Sequence, residues 1–593
     1  MQPASGAREM GGDGEPMSAG REDGVAGWFS FLAAFWRLAG PWWRSRERWS
    51  AVTLTAALVL LTALQVGVAI ALNIWNLRFF DAVEQKALDR FLTLIGVFAV
   101  IVVANVVITT SHLSIKRRIQ VDWRRWLTRQ VTQEWMGGGR HHTLTYAPGR
   151  HDNPDGRIAE DVRIATEYAI DIGHSALYST MLLASFIDIL WQVSGVLTVD
   201  LRGRAVGIPG HMVWIALIYS AAGAWIALRL GLPLTRAANR RQAAEADFRF
   251  GMAHARAHSL SIALMRGEPD ERRRFLRLFH GAFRAWNGQT AALRRFFYYM
   301  ASWPLLNQIF PILIAAPRYI SGGITLGVLM QSAQAFGQVV AALSWPIDNL
   351  AKAAEWRASC ERVEGLASAL RSLRAEPGTP GRLDVVPAGD CLELRGVVLR
   401  SPDGLALSDP IDLAVQPGER VMIDGDSTAC GRLFRATAGL WPWGGGRILL
   451  PAGGAVQFMP EHPYLGPGRL RDVIAYPDPA QGYGPLRLAR ALESAGLARL
   501  ADRIDDVAQW DQVFSLADRQ RLGFARAFLR RPTWAVLHDA ATALEPEDEQ
   551  ELVARLVQEM PELALVILGH RPHVSALVDR TVLLRPAPST SAA

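Results

Sequence analysis

Lysine is nearly absent from this chain. Of 63 lysines and arginines in 593 residues, only Lys86, Lys116 and Lys352 are lysine. None follows residue 352, which excludes any chemistry in the C-terminal part that needs a compact ammonium group. Cysteine is as scarce. Cys360, Cys391 and Cys430 share no metal-ligand spacing, so a zinc module and a disulfide scaffold are both excluded and a reducing compartment is implied. Long apolar runs are missing after residue 350, although several windows of about twenty apolar residues precede it. An apolar signal-peptide core is also missing from the polar, glycine-rich start, and residues 1–26 read as a disordered tail.

What is present divides the chain in two. Half of the residues are hydrophobic and they concentrate before residue 350, so a membrane domain precedes a soluble one. The net charge of +7 does not mark a nucleic-acid binder, because the arginines flank apolar spans as topogenic charges. Residues 27–48 mix aromatics with basic residues and suit an amphipathic helix at the membrane interface; Arg37 and Pro41 argue against a seventh span. Six spans follow, near 51–75, 92–114, 173–198, 208–232, 297–316 and 325–345. Long polar stretches opening with Lys116, Arg117 and Arg118, and with Arg236, Arg240 and Arg241, follow the second and fourth spans. Short loops alternate with them, which puts both long loops and both termini in the cytoplasm. The layout is an all-α six-span domain over 49–366 with long cytoplasmic helical extensions. A Pro- and Gly-rich linker at 367–390, an α/β domain at 391–585 and a tail at 586–593 complete it.

The α/β domain carries ordered landmarks. They are GERVMIDGDSTACGRLFRATAGLWPWGGGRI, then FMPEHPYLGPGRLRDVIAYP, then FSLADRQRLGFARAFLRRPTWAVLHDAATALE, and finally LGHRP. In this order they resemble an ATP-binding-cassette nucleotide-binding domain, and the six spans ahead of it resemble an exporter-type transporter half. The resemblance implies ATP and Mg²⁺ as cofactors. It places the nucleotide contacts at Gly425, Ser427, Gly431, Arg432, Glu461 and Ser515, with Asp539 and His570 at catalytic positions.

The residues at those positions depart from the required chemistry. A phosphate loop needs G-x-x-x-x-G-K-[ST]. Counted from Gly425, its last three places hold Cys430, Gly431 and Arg432; shifted by one, they hold Gly431, Arg432 and Leu433. The Walker B strand ends His538-Asp539 in place of Asp-Glu, and an imidazole is a poor partner for Mg²⁺. Glu461 replaces the Q-loop glutamine, Ala517 a signature glycine and Glu545 the D-loop aspartate. Efficient hydrolysis is therefore not expected.

The membrane segments LNIWNLRFFDAVEQKALDRFL, NPDGRIAEDV, SIALMRGEPDE and AEWRASCERVEGL resemble the bacterial YddA-type half-transporters. Those are related to peroxisomal fatty-acyl transporters and to the SbmA/BacA peptide-uptake permeases, which lack a nucleotide-binding domain. The resemblance, over about residues 50–585, implies peptide-like or other bulky hydrophilic cargo, cobalamin-like compounds included, and pairing as a homodimer or with another half-transporter. In NPDGRIAEDV, Asn153 and Pro154 suit a helix start, either a coupling element or a plain capped surface helix. Asp188 lies near the middle of the third span with Gln192 one turn on, a candidate for the substrate or proton path. Three readings stay open: a transporter that does not hydrolyse ATP, an ordinary ATP-driven half-transporter, and a non-transporting pseudo-subunit.

Overall fold

The computed structural model describes residues 25–147, 153–201, 204–374, 381–452 and 455–585. Apart from Val25 and Ala26, the expected tails lie outside the described residues. The chain forms two compact units: residues 1–130 with 155–364, and residues 131–154 with 365–593.

The first unit is helical. Its α1 (Val25–Arg44) and α2 (Arg48–Glu84) precede the long α3 (Leu88–Met136). Six helical segments are long and apolar enough to cross a membrane, and α1 is not among them. One face of α1 is nonetheless inside the fold. Trp42 is buried and stacks on Trp123 of α3 at 5.9 Å between ring centroids, while Phe31 meets Trp356 edge-on at 5.0 Å. Part of the aromatic content expected at a membrane interface is therefore interhelical packing. Exposed Trp36 keeps the opposite face apolar.

Beyond α3, α4 (Arg140–Thr143) belongs to the second unit. The first unit resumes after Pro154, which opens α5 (Pro154–Gly156); a π-helical turn leads into α6 (Val162–Ser194). The third span ends four residues before its expected limit and the fourth starts at His211, not 208. Between them β1 (Val196–Leu201) and β2 (Arg204–Pro209) pair antiparallel. Gly195 and Gly210, with φ of 60° and 63°, break the helices there at little steric cost. The remaining helices are α7 (His211–Ala257), α8 (Ser259–Leu264), α9 (Glu268–Ile320), α10 (Leu326–Asp348) and α11 (Leu350–Ser372). Phe186, Leu190, Met212, Phe336 and Val339 form the buried core of this bundle.

The expected linker is shorter than the sequence suggests. Helix α11 continues to Ser372 because Val363, Leu366, Ala367 and Leu370 prolong a buried stripe at helical spacing. At the other end, β3 (Asp384–Pro387) already pairs with the second unit's sheet.

That unit holds two sheets. In the first, β3, β7 (Gly444–Leu450), β4 (Leu392–Leu399) and β5 (Ile411–Val415) lie in the order β3-β7-β4-β5. The second is parallel throughout, in the order β13-β6-β12-β11-β8. Its members are β6 (Arg420–Asp424), β8 (Val456–Met459), β11 (Trp534–His538), β12 (Ala564–Leu568) and β13 (Arg580–Leu583). Unbroken apolar runs such as Trp534–Leu537 are buried, as a sheet covered on both faces requires. A short pair, β9 (Gly468–Arg469) and β10 (Val507–Ala508), lies apart. The helices of this unit are α12 (Ser427–Thr437), α13 (Leu470–Ala475), α14 (Pro485–Ser494), α15 (Trp510–Val513), α16 (Leu516–Arg530) and α17 (Pro546–Glu559).

Candidate functional site

In a parallel sheet, ligands bind beyond the carboxyl ends of adjacent strands. Strands β6, β12 and β11 are neighbours, and their ends place Asp424, His570 and the His538-Asp539 pair together. After β6 the chain turns through Gly425 and enters α12 at Ser427. Backbone N–H groups at such a helix start ordinarily face a phosphate. Here Asp426 is the N-cap, and its carboxylate accepts a hydrogen bond from the Ala429 amide at 3.1 Å. The chain supplies its own anion.

Residues of α12 pack against the end of β11. A Cβ on Gly431 would stand 3.2 Å from the imidazole of His538, which stacks on Phe434 with ring centroids 5.5 Å apart. A phosphate-loop hydroxyl and a Walker B carboxylate hold the same Mg²⁺, so those two positions must face each other. Gly431 and His538 do face each other across the site, and Cys430 precedes Gly431 on the buried side of α12. Cys430 is fully buried in the apolar core. Burial pushes its thiol up to about 11, reinforced by the carboxylates of Asp539, Asp424 and Asp426. The Cys430 thiol is thus neutral and enclosed, with its sulfur against the Ile423 carbonyl.

Those acids have partners within the protein. Asp539, at a φ of 52°, accepts from the Ser427 hydroxyl at 3.1 Å and from the Arg571 guanidinium at 2.7 Å. His570 Nδ1 lies 3.1 Å from an Asp424 oxygen. Buried Gln520 donates to the Glu461 carbonyl at 3.0 Å and to Thr542 at 2.9 Å, and accepts from the Ala543 amide. The Glu461 carboxylate lies 3.8 Å from the His462 imidazole. Ser515 spends its hydroxyl as the N-cap of α16, accepting from the Asp518 amide at 3.1 Å, and Asp518 pairs with Arg499. The structure thus brings Ser427, Gly431, Asp539 and His570 to one place and leaves Ser515 elsewhere. The donors present do not fit a Mg²⁺-nucleotide.

Asp188 and Gln192 are exposed on α6, on the side away from buried Phe186 and Leu190, and bond to each other at 2.9 Å. In the NPDGRIAEDV segment, Asp161 is held in the first unit by two hydrogen bonds from Arg362, at 2.8 and 2.6 Å.

Two features escaped the sequence reading. Residues 131–147 belong to the second unit, where the Tyr146 hydroxyl accepts from Arg435 at 2.7 Å and its ring meets Trp441. Gly139 has a φ of 71°, a left-handed conformation that favours glycine. In the first unit, Lys116 and Lys352, two of the three lysines, converge on Asp171 at 3.2 and 2.5 Å. His112 and His174 pack ring to ring beside them at 4.2 Å. The scarcity of lysine was the available signal.

Comparison with known proteins agrees with this architecture. Residues 36–316 match the family described as ABC transporter transmembrane region 2. In this match and in its fold the chain is similar to half-transporters of the ABC exporter type, and it has six helical segments long and apolar enough to cross a membrane. Among its relatives, the chain is 27% identical over 555 residues to the inner membrane ABC transporter ATP-binding protein YddA of Escherichia coli, covering 92% of this chain and 96% of that protein. It is 24% identical over 627 residues to the chloroplastic ABC transporter D family member 2 of Arabidopsis thaliana, covering 94% and 86%. A bacterial Atm1-family ABC exporter solved with ATP bound has the same fold, with a TM-score of 0.66 at 17% identity over 90% of this chain and 93% of that one.

Proposed function

We propose that this chain moves peptides or other bulky hydrophilic compounds, cobalamin-like cargo among them, across the bacterial inner membrane as half of a dimer. Its soluble unit acts as a clamp that does not hydrolyse ATP. The observation that carries the second statement is the phosphate-loop position itself. Cys430 stands neutral among Asp424, Asp426 and Asp539, and the helix start is already capped by Asp426. A nucleotide carries several negative charges, and no lysine follows residue 352 to meet them at this loop. The positive charges beside the second and fourth spans support cytoplasmic termini. With hydrolysis gone, an ion gradient or a partner subunit supplies the driving force.

Reconstitution of the purified chain into proteoliposomes, with a labelled basic peptide as cargo, tests the reading. Uptake that follows an imposed proton gradient and ignores Mg²⁺-ATP is expected. Uptake driven by Mg²⁺-ATP in the absence of a gradient would restore the ordinary ATP-driven half-transporter.

A further inference from the structure

A cavity of about 470 Å³ opens in the first unit where α2 turns into α3, at the end of α3 opposite its arginine-rich part. Its size lies within the range of small-molecule sites, about 300 to 1,000 Å³. The two helices are pinned beneath it. The Trp75 indole N–H donates to the Leu94 carbonyl at 2.8 Å, and its ring packs on Phe79 at 4.7 Å and on Phe98 at 4.8 Å. Tryptophan at the end of a span marks the level where hydrocarbon gives way to headgroups.

Four charged side chains line the cavity: Arg78, Asp81, Asp89 and Arg90. Asp81 is already engaged, accepting from the Gly327 amide at the start of α10 at 3.0 Å. The other three are exposed. Among the described residues neither guanidinium has a carboxylate partner, and Arg90 donates to the neutral Gln85 side chain at 3.3 Å. Two guanidiniums with free donors suit a phosphate, and Asp89 beside them suits a small cation. Away from the charges the walls are apolar and open. On α3, Val97 and Val100 continue the face of Thr93 at helical spacing and are 43% and 69% exposed. On α2, Ile74 lies one turn before Arg78 and is 38% exposed.

We propose that this cavity seats the headgroup of a phosphatidylethanolamine, with its phosphate on Arg78 and Arg90, its ammonium at Asp89 and its acyl chains along Ile74, Val97 and Val100. A soluble phosphate compound would use the arginines and leave the apolar strip bare, whereas a lipid covers both. A choline headgroup has no N–H to donate to Asp89, and a glycerol headgroup brings no cation to it. The lipid is a fixed ligand of the α2–α3 corner, and its binding requires neither ATP nor a gradient.

The test is native mass spectrometry of the full chain, delipidated in detergent and titrated with phosphatidylethanolamine, phosphatidylcholine and phosphatidylglycerol of identical acyl chains. Glycerophosphoethanolamine, the same headgroup without chains, is the soluble control. One phosphatidylethanolamine should bind at least about tenfold more tightly than either other lipid and than the control. Arg78→Gln should weaken that binding about tenfold, and Asp89→Asn should bring phosphatidylethanolamine down to the level of phosphatidylcholine while leaving phosphatidylcholine unchanged. Equal binding of the three lipids would overturn the proposal, as would undiminished binding in Arg78→Gln. Displacement of the lipid by an equal concentration of the soluble control would assign the site to a free phosphate compound instead. A chain that appears only as a lipid-free dimer would assign the corner to a second copy. The lipid comparison uses the unsubstituted protein, so a variant that fails to fold does not remove the test.

Discussion

Replacing Asp539 by alanine separates a structural role from a catalytic one. In the structure its carboxylate receives Arg571 at 2.7 Å and Ser427 at 3.1 Å, and the side chains of Arg571 and Asp539 are only 15% and 16% exposed. Breaking a buried ion pair costs about 3–5 kcal/mol when nothing takes its place. Arg571 retains Glu549 at 3.8 Å and some solvent, which lowers the cost to about 2–3 kcal/mol. Alanine also tolerates a φ of 52° less well than aspartate does. For a domain of this size each kcal/mol moves Tm by about 2–4 °C, so a fall of about 4 to 12 °C is expected for the soluble unit. Asp539→Asn keeps a polar acceptor and the backbone preference, and should lose about half as much. Thermal unfolding of the full chain, followed by hydrogen exchange in β11 and β12, reads the effect. A Tm unchanged within error, together with an ATPase rate that disappears, would refute the reasoning.

Other expectations follow from neighbouring contacts. Gly431→Ser places a Cβ 3.2 Å from His538 and should cost about 1 kcal/mol. Adding His538→Asp should recover part of that loss, and a double-mutant cycle on Tm measures the coupling. Cys430 should resist alkylation in the folded chain at pH 8 while half-buried Cys391 reacts, as mass spectrometry after iodoacetamide would show. Its folded thiol titrates above the ordinary value of 9.0, so the protein holds that proton longer when folded than unfolded. That stability contribution is complete below about pH 9 and is lost as pH rises towards about 11. Tyr146→Phe removes the acceptor for Arg435 and should cost about 1 kcal/mol, seen as faster hydrogen exchange over residues 140–147.

The membrane helices were legible because an apolar window of span length has few other uses. Their ends were less so. Gly195 and Gly210 insert a hairpin where apolar content alone extends the helices. The cassette fold was legible in the order of its motifs, and the missing lysine in a simple count. What replaced the lost groups was not, because motif comparison registers absences and cannot show that Asp426 turns back onto its own helix. The approach of Gly431 to His538, residues 107 positions apart in number, arises only where the ends of the sheet strands meet α12. Likewise Asp171 and Lys352, separated by 181 residues, become a pair only in three dimensions.

Nucleotide binding by the full purified chain tests the central claim most directly. Titration with Mg²⁺-ATP in detergent, read by isothermal calorimetry, should give no saturable heat up to millimolar nucleotide. Saturable binding at micromolar concentration would contradict the account.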